Sequence, residues 1–204
     1  MSGAAVPRLA PVPRETWDDD IVNALRVGFS DEVAQRFATT GENEVPVPNV
    51  LGTLMHHPAL AGPFLAYNNV LLQAPTLEPR ARELMVLRVA WRTRSRYEWV
   101  QHARLAARLG IGDDEIAAIA GGAPVEWPPL ERVLLDATDE LVDGYRVGDD
   151  TWKRLAEHLD EAQLVELVFV VGTYVGLAMA FNSFGLQIDP ELQEFNRTLP
   201  AFEE

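Results

Sequence analysis

The chain contains no cysteine and a single lysine, Lys153. The first absence removes disulfides, thiolate nucleophiles and Cys-ligated metals together. The second leaves nearly all positive charge on arginine, the planar cation that grips a carboxylate through two parallel bonds. Long apolar runs are missing too. The most apolar stretch, Leu164 to Phe184, is interrupted by Glu166, Thr173, Asn182 and Ser183, and reads as a buried helix rather than a membrane span. The N-terminal MSGAAVPRLAPVPRE has no apolar core of signal-peptide type, so a cytoplasmic protein is expected. No strand-like alternation of useful length occurs, which points to an all-α class.

The 204 residues carry 31 acidic against 17 basic side chains, a formal charge of −14. That balance argues against a nucleic-acid partner or an anionic membrane surface and favours plain solubility. With 48% hydrophobic and 24% charged residues the composition is that of one globular domain with arms. His56 and His57 stand together before Pro58, but no carboxylate or third histidine lies at ligand spacing. Neither a metal nor a nucleotide motif is present, and no cofactor is expected.

In chain order, Pro7, Pro11 and Pro13 hold an extended arm, expected on the surface or on a neighbouring subunit. Residues 15–29 read as a first helix, and Ser30 caps a second over DEVAQRFA. Two helices broken at Pro58 follow the loop 41–48, with Leu60, Phe64, Tyr67 and Leu71 as a core stripe. After a central pair of helices, Gly110 and Gly112 end the second and Asp113 and Asp114 open a short one. Pro128 and Pro129 open another, residues 151–158 form a further short helix, and the apolar segment beginning EAQLVELV is the last long element. Residues 1–44 are thus expected to form an arm with helices, 45–190 the main helical domain and 191–204 a tail.

The central pair carries the chemistry. In RYEWVQHARLAARLG, Ser95, Glu98, His102, Leu105 and Leu109 fall 3, 4, 3 and 4 residues apart on one helical face. A face continuing into Leu105 and Leu109 is expected to point inward, carrying Glu98 and His102 toward the core as a neighbouring pair. On the preceding helix Glu83 shares a face with Leu87 and Ala90, and the short link RTRS folds the two helices together. Two inward carboxyls and an imidazole make a set able to move protons near neutral pH. The pair Glu98 and His102 reads equally as a buried hydrogen bond that only fixes helix packing. Among the arginines between Arg80 and Arg96, Arg88 is placed to reach inward, while Arg80, Arg82, Arg92, Arg94 and Arg96 read as neutralising nearby acids or decorating the outer face. Trp91, Tyr97, Trp99 and Tyr174 are core candidates that can also line a ring-sized pocket.

The succession of RE, an apolar helix, YEW, a histidine four after the glutamate, then LA, a glycine and EI resembles the carboxymuconolactone decarboxylase family, which belongs with the alkylhydroperoxidase-D-like proteins. In the peroxidase branch the motif is Glu, then Cys-x-x-Cys-x-x-x-His. On this chain the Glu falls on Glu83, the two Cys positions on Ser95 and Glu98, and the His on His102. Dithiol peroxidase activity is therefore not expected; the decarboxylase branch carries a Glu four before the His, as here. The resemblance spans roughly residues 45–190 and implies an alkylhydroperoxidase-D-like helical bundle with two-fold internal repetition. Glu83 with Trp91 and Glu166 with Tyr174 faintly echo that repetition, each pair eight residues apart.

The resemblance further implies a cofactor-free carbon–carbon lyase that decarboxylates an unsaturated lactone acid or shifts a proton in a similar enolisable carbonyl compound. His102 is then the proton carrier, Glu98 orients it, Glu83 is a second acid or base, and Arg88 holds a carboxylate or oxyanion. Ser95, Trp91, Tyr97, Trp99 and Tyr174 would line the substrate. A homo-oligomer, whether dimer, trimer or hexamer, is implied as well. The alternatives are a tailoring isomerase, cyclase or hydrolase using the same residues, and a non-catalytic binding or assembly protein.

Overall fold

A computed structural model of the chain describes residues 6–42 and 44–202, which form helices and no strands. The first residues of the proline-rich arm, Asn43 of the loop and the end of the acidic tail lie outside the described residues. The chain divides into two units, Met1–Ala74 with Ser183–Asp189 and Pro75–Asn182 with Pro190–Glu204.

The first unit holds α1 (Asp19–Gly28), α2 (Asp31–Ala38), α3 (Asn49–Leu54) and α4 (Pro58–Gln73). Helix α1 starts where Asp18 Oδ1 accepts from the Ile21 amide at 3.0 Å, and α2 where Ser30 Oγ accepts from the Val33 amide at 3.4 Å. The first expected helix, residues 15–29, begins later: Arg14–Thr16 is a separate 3-10 turn and α1 starts at Asp19. Ile21, Ala24, Leu25, Leu51, Met55 and Leu65 form the core of this unit. Helices α1 and α4 approach closely because glycine stands at both contact points. A Cβ at Gly28 would run into Leu65, and one at Gly62 would meet the Ala24 carbonyl and Val27 at 3.2 Å. The arm is tied to its own chain: the Arg8 and Leu9 amides donate to the Phe184 carbonyl at 2.8 and 3.1 Å, and the Val12 amide to Gly52 at 3.0 Å.

The second unit holds α5 (Pro79–Arg92), α6 (Arg96–Arg108), α7 (Asp113–Ile119), α8 (Pro129–Gly144), α9 (Asp149–Ala156), nearly all of α10 (Glu161–Phe184) and α11 (Gln193–Asn196). Helices α5, α8 and α4 each begin on a proline, whose missing amide is no loss in a first turn. Between α5 and α6 the chain reverses in three residues, with Arg94 at φ 54°, in the left-handed region that few residues other than glycine adopt. The Thr93 amide closes on Val89 and the Ser95 amide on Ala90, each at 2.9 Å. Helices α5 and α6 therefore leave this link side by side, as the short RTRS connection requires.

Helix α10 is long and apolar enough, by length and composition, to cross a membrane. Within the chain it buries Leu164, Leu167, Val170, Val171, Tyr174 and Phe181 and exposes Val165, Phe169 and Met179. Its Glu166 accepts from the Thr76 amide and hydroxyl, both at 2.6 Å, and so serves the loop before α5.

Because Gly28 has no room for a methyl group, Gly28→Ala is expected to destabilise the chain by about 1–3 kcal/mol through overpacking. A urea unfolding midpoint that does not move would contradict this account of the α1 and α4 contact.

Candidate functional site

Burial on α6 is concentrated in its first half. Tyr97, Glu98, Trp99, Val100, His102, Ala103 and Ala106 are buried, whereas Leu109 is 36% exposed. The inward face was expected from Leu105 and Leu109, yet the ionisable residues are the deeper ones. The reason is the link: Ser95 lies at 0% exposure where α6 leaves α5, and the helix emerges from the interior toward its C-terminus.

Glu83, on α5, is wholly buried and lies between an imidazole and a guanidinium. Its Oε2 is 2.6 Å from His102 Nδ1, and its Oε1 accepts from Arg82 Nε and Nη2 at 3.1 and 3.0 Å. Burial pushes the Glu83 carboxyl up, but the opposing pull of His102 and Arg82 is greater and holds it below the ordinary carboxylate range. An ionised Glu83 accepts, so His102 Nδ1–H donates and the other ring nitrogen, Nε2, carries the exchangeable lone pair. The His102 side chain retains 10% exposure against 0% for Glu83, so His102 is the member that a molecule from outside can meet. Tyr174, from α10, stands edge-on to the imidazole with ring centres 4.9 Å apart at 90° and limits its rotation. Burial, and then the Glu83 charge, raise the Tyr174 phenol above its ordinary range, so it stays protonated.

Glu98 lies one turn before His102 but does not bond to it. Both carboxyl oxygens are shut off from solvent and have no hydrogen-bond partner. Orienting the imidazole therefore falls to Glu83, and this corrects the role expected for Glu98. Burial pushes the Glu98 carboxyl up to about 8; the Ser95 hydroxyl is near enough to oppose part of that, although no hydrogen bond closes between them. At neutral pH Glu98 is protonated by about ten to one. The two carboxyls thus sit at opposite ends of the scale, Glu83 an anion and Glu98 an acid.

Arg88 does not join this group. Its Nε and Nη2 clasp Asp139 of α8 at 2.7 and 2.8 Å, and Nη1 donates to the Ile119 carbonyl at 2.7 Å. Asp139 and Ile119 each hold Arg88 in place, so its guanidinium is turned toward α8 and the end of α7 and is not part of the Glu83 and His102 group. Arg82, expected to neutralise an acid, does so, but from inside the unit at 7% exposure. Nothing in the spacing of charges on α5 marks it, because adjacent positions on a helix point in different directions and its guanidinium must curl back to meet Glu83.

The aromatic candidates divide into two sets. Tyr97 packs edge-on to Phe181 with ring centres 5.4 Å apart. Trp91 contacts Trp99 at 5.2 Å and Phe202 at 4.7 Å, and with Arg94 and Phe202 lines an open cavity of about 530 Å³. Trp99 is fully buried, its indole N–H without a partner. Among the described residues no cluster of three metal-ligating side chains occurs.

Residues 58–140 match the model of the carboxymuconolactone decarboxylase family. No curated protein matches the chain. Among solved structures, a peroxidase-related protein from Ralstonia eutropha JMP134 with an alkylhydroperoxidase AhpD core is 21% identical over 96% of this chain and 100% of that one, with a TM-score of 0.73. A peroxidase-related protein from Silicibacter sp. TM1040 is 18% identical over 94% and 97%, at 0.70. A cysteine-to-alanine variant of the debrominase Bmp8 in complex with 2,3,4-tribromopyrrole is 12% identical over 98% and 100%, also at 0.70. Likeness at these identities establishes the helical fold, which is the alkylhydroperoxidase-D-like one.

Replacing Glu83 by Gln leaves Arg82 buried with an unbalanced charge, and a loss of about 3–5 kcal/mol at pH 7 is expected in urea unfolding. The Glu83 contribution is present above the ordinary carboxyl range and fades as acid protonates the native carboxylate, so the variant's deficit narrows at low pH. Glu98 has the reverse sign. Its folded value of about 8 against an ordinary 4.5 makes the native state lose stability as pH rises between those limits. Relative to wild type, Glu98→Gln is expected to gain stability across that window and level off above it; a pH-independent difference in melting temperature would refute the assignment.

Proposed function

We propose, from the match of residues 58–140 to the carboxymuconolactone decarboxylase family model, that the chain is a cofactor-free enzyme that moves a proton on a small unsaturated lactone acid or a similar enolisable carbonyl compound. The observation that carries the reading is the buried 2.6 Å contact between His102 Nδ1 and Glu83 Oε2. An imidazole held by an ionised carboxylate at one nitrogen can take up and return a proton at the other. In a decarboxylation the electrons of the breaking carbon–carbon bond pass into a dienolate as carbon dioxide leaves. Imidazolium His102 then delivers its proton to carbon, and solvent restores it. Glu83 orients the ring and balances its charge, and Arg82 keeps Glu83 ionised. Tyr174 fixes the ring plane. Glu98, uncharged near neutrality, does not compete for the His102 proton.

Thiol-based peroxidase or debrominase chemistry is unavailable to a chain without cysteine. The same residues serve an isomerase or cyclase equally well, since each begins with an enolisable proton. What distinguishes lyase from isomerase is the release of carbon dioxide.

A screen of unsaturated lactone acids and keto acids, followed by ultraviolet absorbance and carbon dioxide release, tests the proposal. Turnover that drops by about 10²–10⁴-fold in a folded His102→Asn protein is the expected result. Substrate binding without turnover across the screen would move the chain to the non-catalytic reading.

A further inference from the structure

Ser95, Arg96, Tyr97 and Glu98 spell the Ser-x-x-Glu pattern of a capping box, in which the serine side chain bonds the third helical amide and the glutamate reaches back to the serine amide. Ser95 is indeed the N-cap of α6, but the box is not made. The Ser95 side chain caps nothing, and its amide already donates to the Ala90 carbonyl at 2.9 Å. The glutamate is thereby deprived of its usual partner. The outcome is that Ser95 Oγ and both oxygens of Glu98 are buried without a hydrogen bond, at residue exposures of 0% and 2%. Three adjacent orphaned polar atoms run against the rule that buried polar groups are paired, and they gather where a helix N-terminus adds partial positive charge.

We propose that Ser95, Glu98 and the start of α6 form a subsite for the carboxylate of a small unsaturated acid, which supplies an acceptor to the Ser95 hydroxyl and to the Glu98 O–H. The inference rests on the proton-transfer reading above and names what holds the substrate in place of Arg88, whose guanidinium is turned to Asp139 and Ile119. Protonated Glu98 donates O–H to one carboxylate oxygen, the Ser95 hydroxyl donates to the other, and the helix end favours the negative charge. Binding then requires the Glu98 proton, because two carboxylates in one buried site repel. The charged and titratable groups buried in the same unit as Glu98 are Tyr97 and His102 on α6, Glu83 and Arg82 on α5, and Tyr174 on α10, whose phenol responds to the Glu98 charge. Glu83 is bonded to Arg82 and His102, leaving burial and the Ser95 hydroxyl to set the Glu98 proton.

Crotonate and the uncharged crotonamide are suitable probes, titrated into the full chain by isothermal calorimetry. Crotonate is ionised throughout pH 6–9, so any change in its affinity over that range belongs to the protein. Wild type is expected to prefer crotonate to crotonamide at pH 6.5 and to lose about tenfold in affinity as pH passes the Glu98 value of about 8. Ser95→Ala should weaken crotonate about tenfold. Glu98→Gln, which keeps a neutral donor, should retain binding and lose the pH dependence. The proposal is overturned if folded wild type ignores crotonate, if Ser95→Ala and Glu98→Leu bind it like wild type, or if Glu98→Gln keeps the pH dependence. His102→Asn separates the two inferences. Crotonate binding indifferent to Ser95 and Glu98, with turnover still dependent on His102, removes the subsite alone. Turnover indifferent to His102, with crotonate still dependent on Ser95, removes the proton carrier alone.

Discussion

The carboxylate of Glu83 is held from two sides, by the imidazole of His102 across the α5 and α6 contact and by the guanidinium of Arg82 on its own helix. Removing any of the three from the interior leaves a buried charge or a buried donor unmatched. A buried ion pair of this kind contributes little to net stability, because desolvating the charges offsets most of their attraction. Its consequence is positional. The pair sets how α5 and α6 lie against each other, the tautomer of His102, and the one ring nitrogen left for outside molecules.

Tight reversal at Arg94 makes this geometry possible. With φ at 54° the link turns in three residues and the Ser95 amide closes back on Ala90. That single hydrogen bond has two effects. It brings the first turn of α6 into the interior, which buries Glu98 and His102, and it takes away the amide with which Glu98 would otherwise have capped the helix. The same bond therefore explains both the depth of Glu98 and its missing partner, and from these follows its raised proton affinity.

Much of this could be read in the chain beforehand. Prolines at helix starts, the caps at Asp18 and Ser30, and glycines at 110 and 112 mark the helices closely, because those signals are local. Glu83, Glu98 and His102 were also legible as an inward set from their spacing. Their wiring was not. The spacing of four between Glu98 and His102 suggested a direct pair, whereas the actual partner of His102 lies nineteen residues away on another helix. The partner of Arg88 was hidden for a similar reason: Asp139 comes from α8, and helical periodicity carries no information about which distant acid an arginine meets. Arg82 was expected either to neutralise a nearby acid or to decorate the outer face, and only the fold shows that the acid is its own neighbour, Glu83.

Two carboxyls fifteen residues apart in sequence thus acquire opposite characters within one unit. Both are buried, so burial alone raises both; the difference lies in their partners. Glu83 has a guanidinium and an imidazole and remains an anion. Glu98 has no hydrogen-bond partner and remains an acid. Where environments push two like groups apart in this way, one acts by its charge and the other by its proton. Two ionised carboxylates in one buried site would repel an anion. In the proposed subsite the Glu98 proton removes that repulsion, and the Glu83 charge serves the proposed proton carrier, His102.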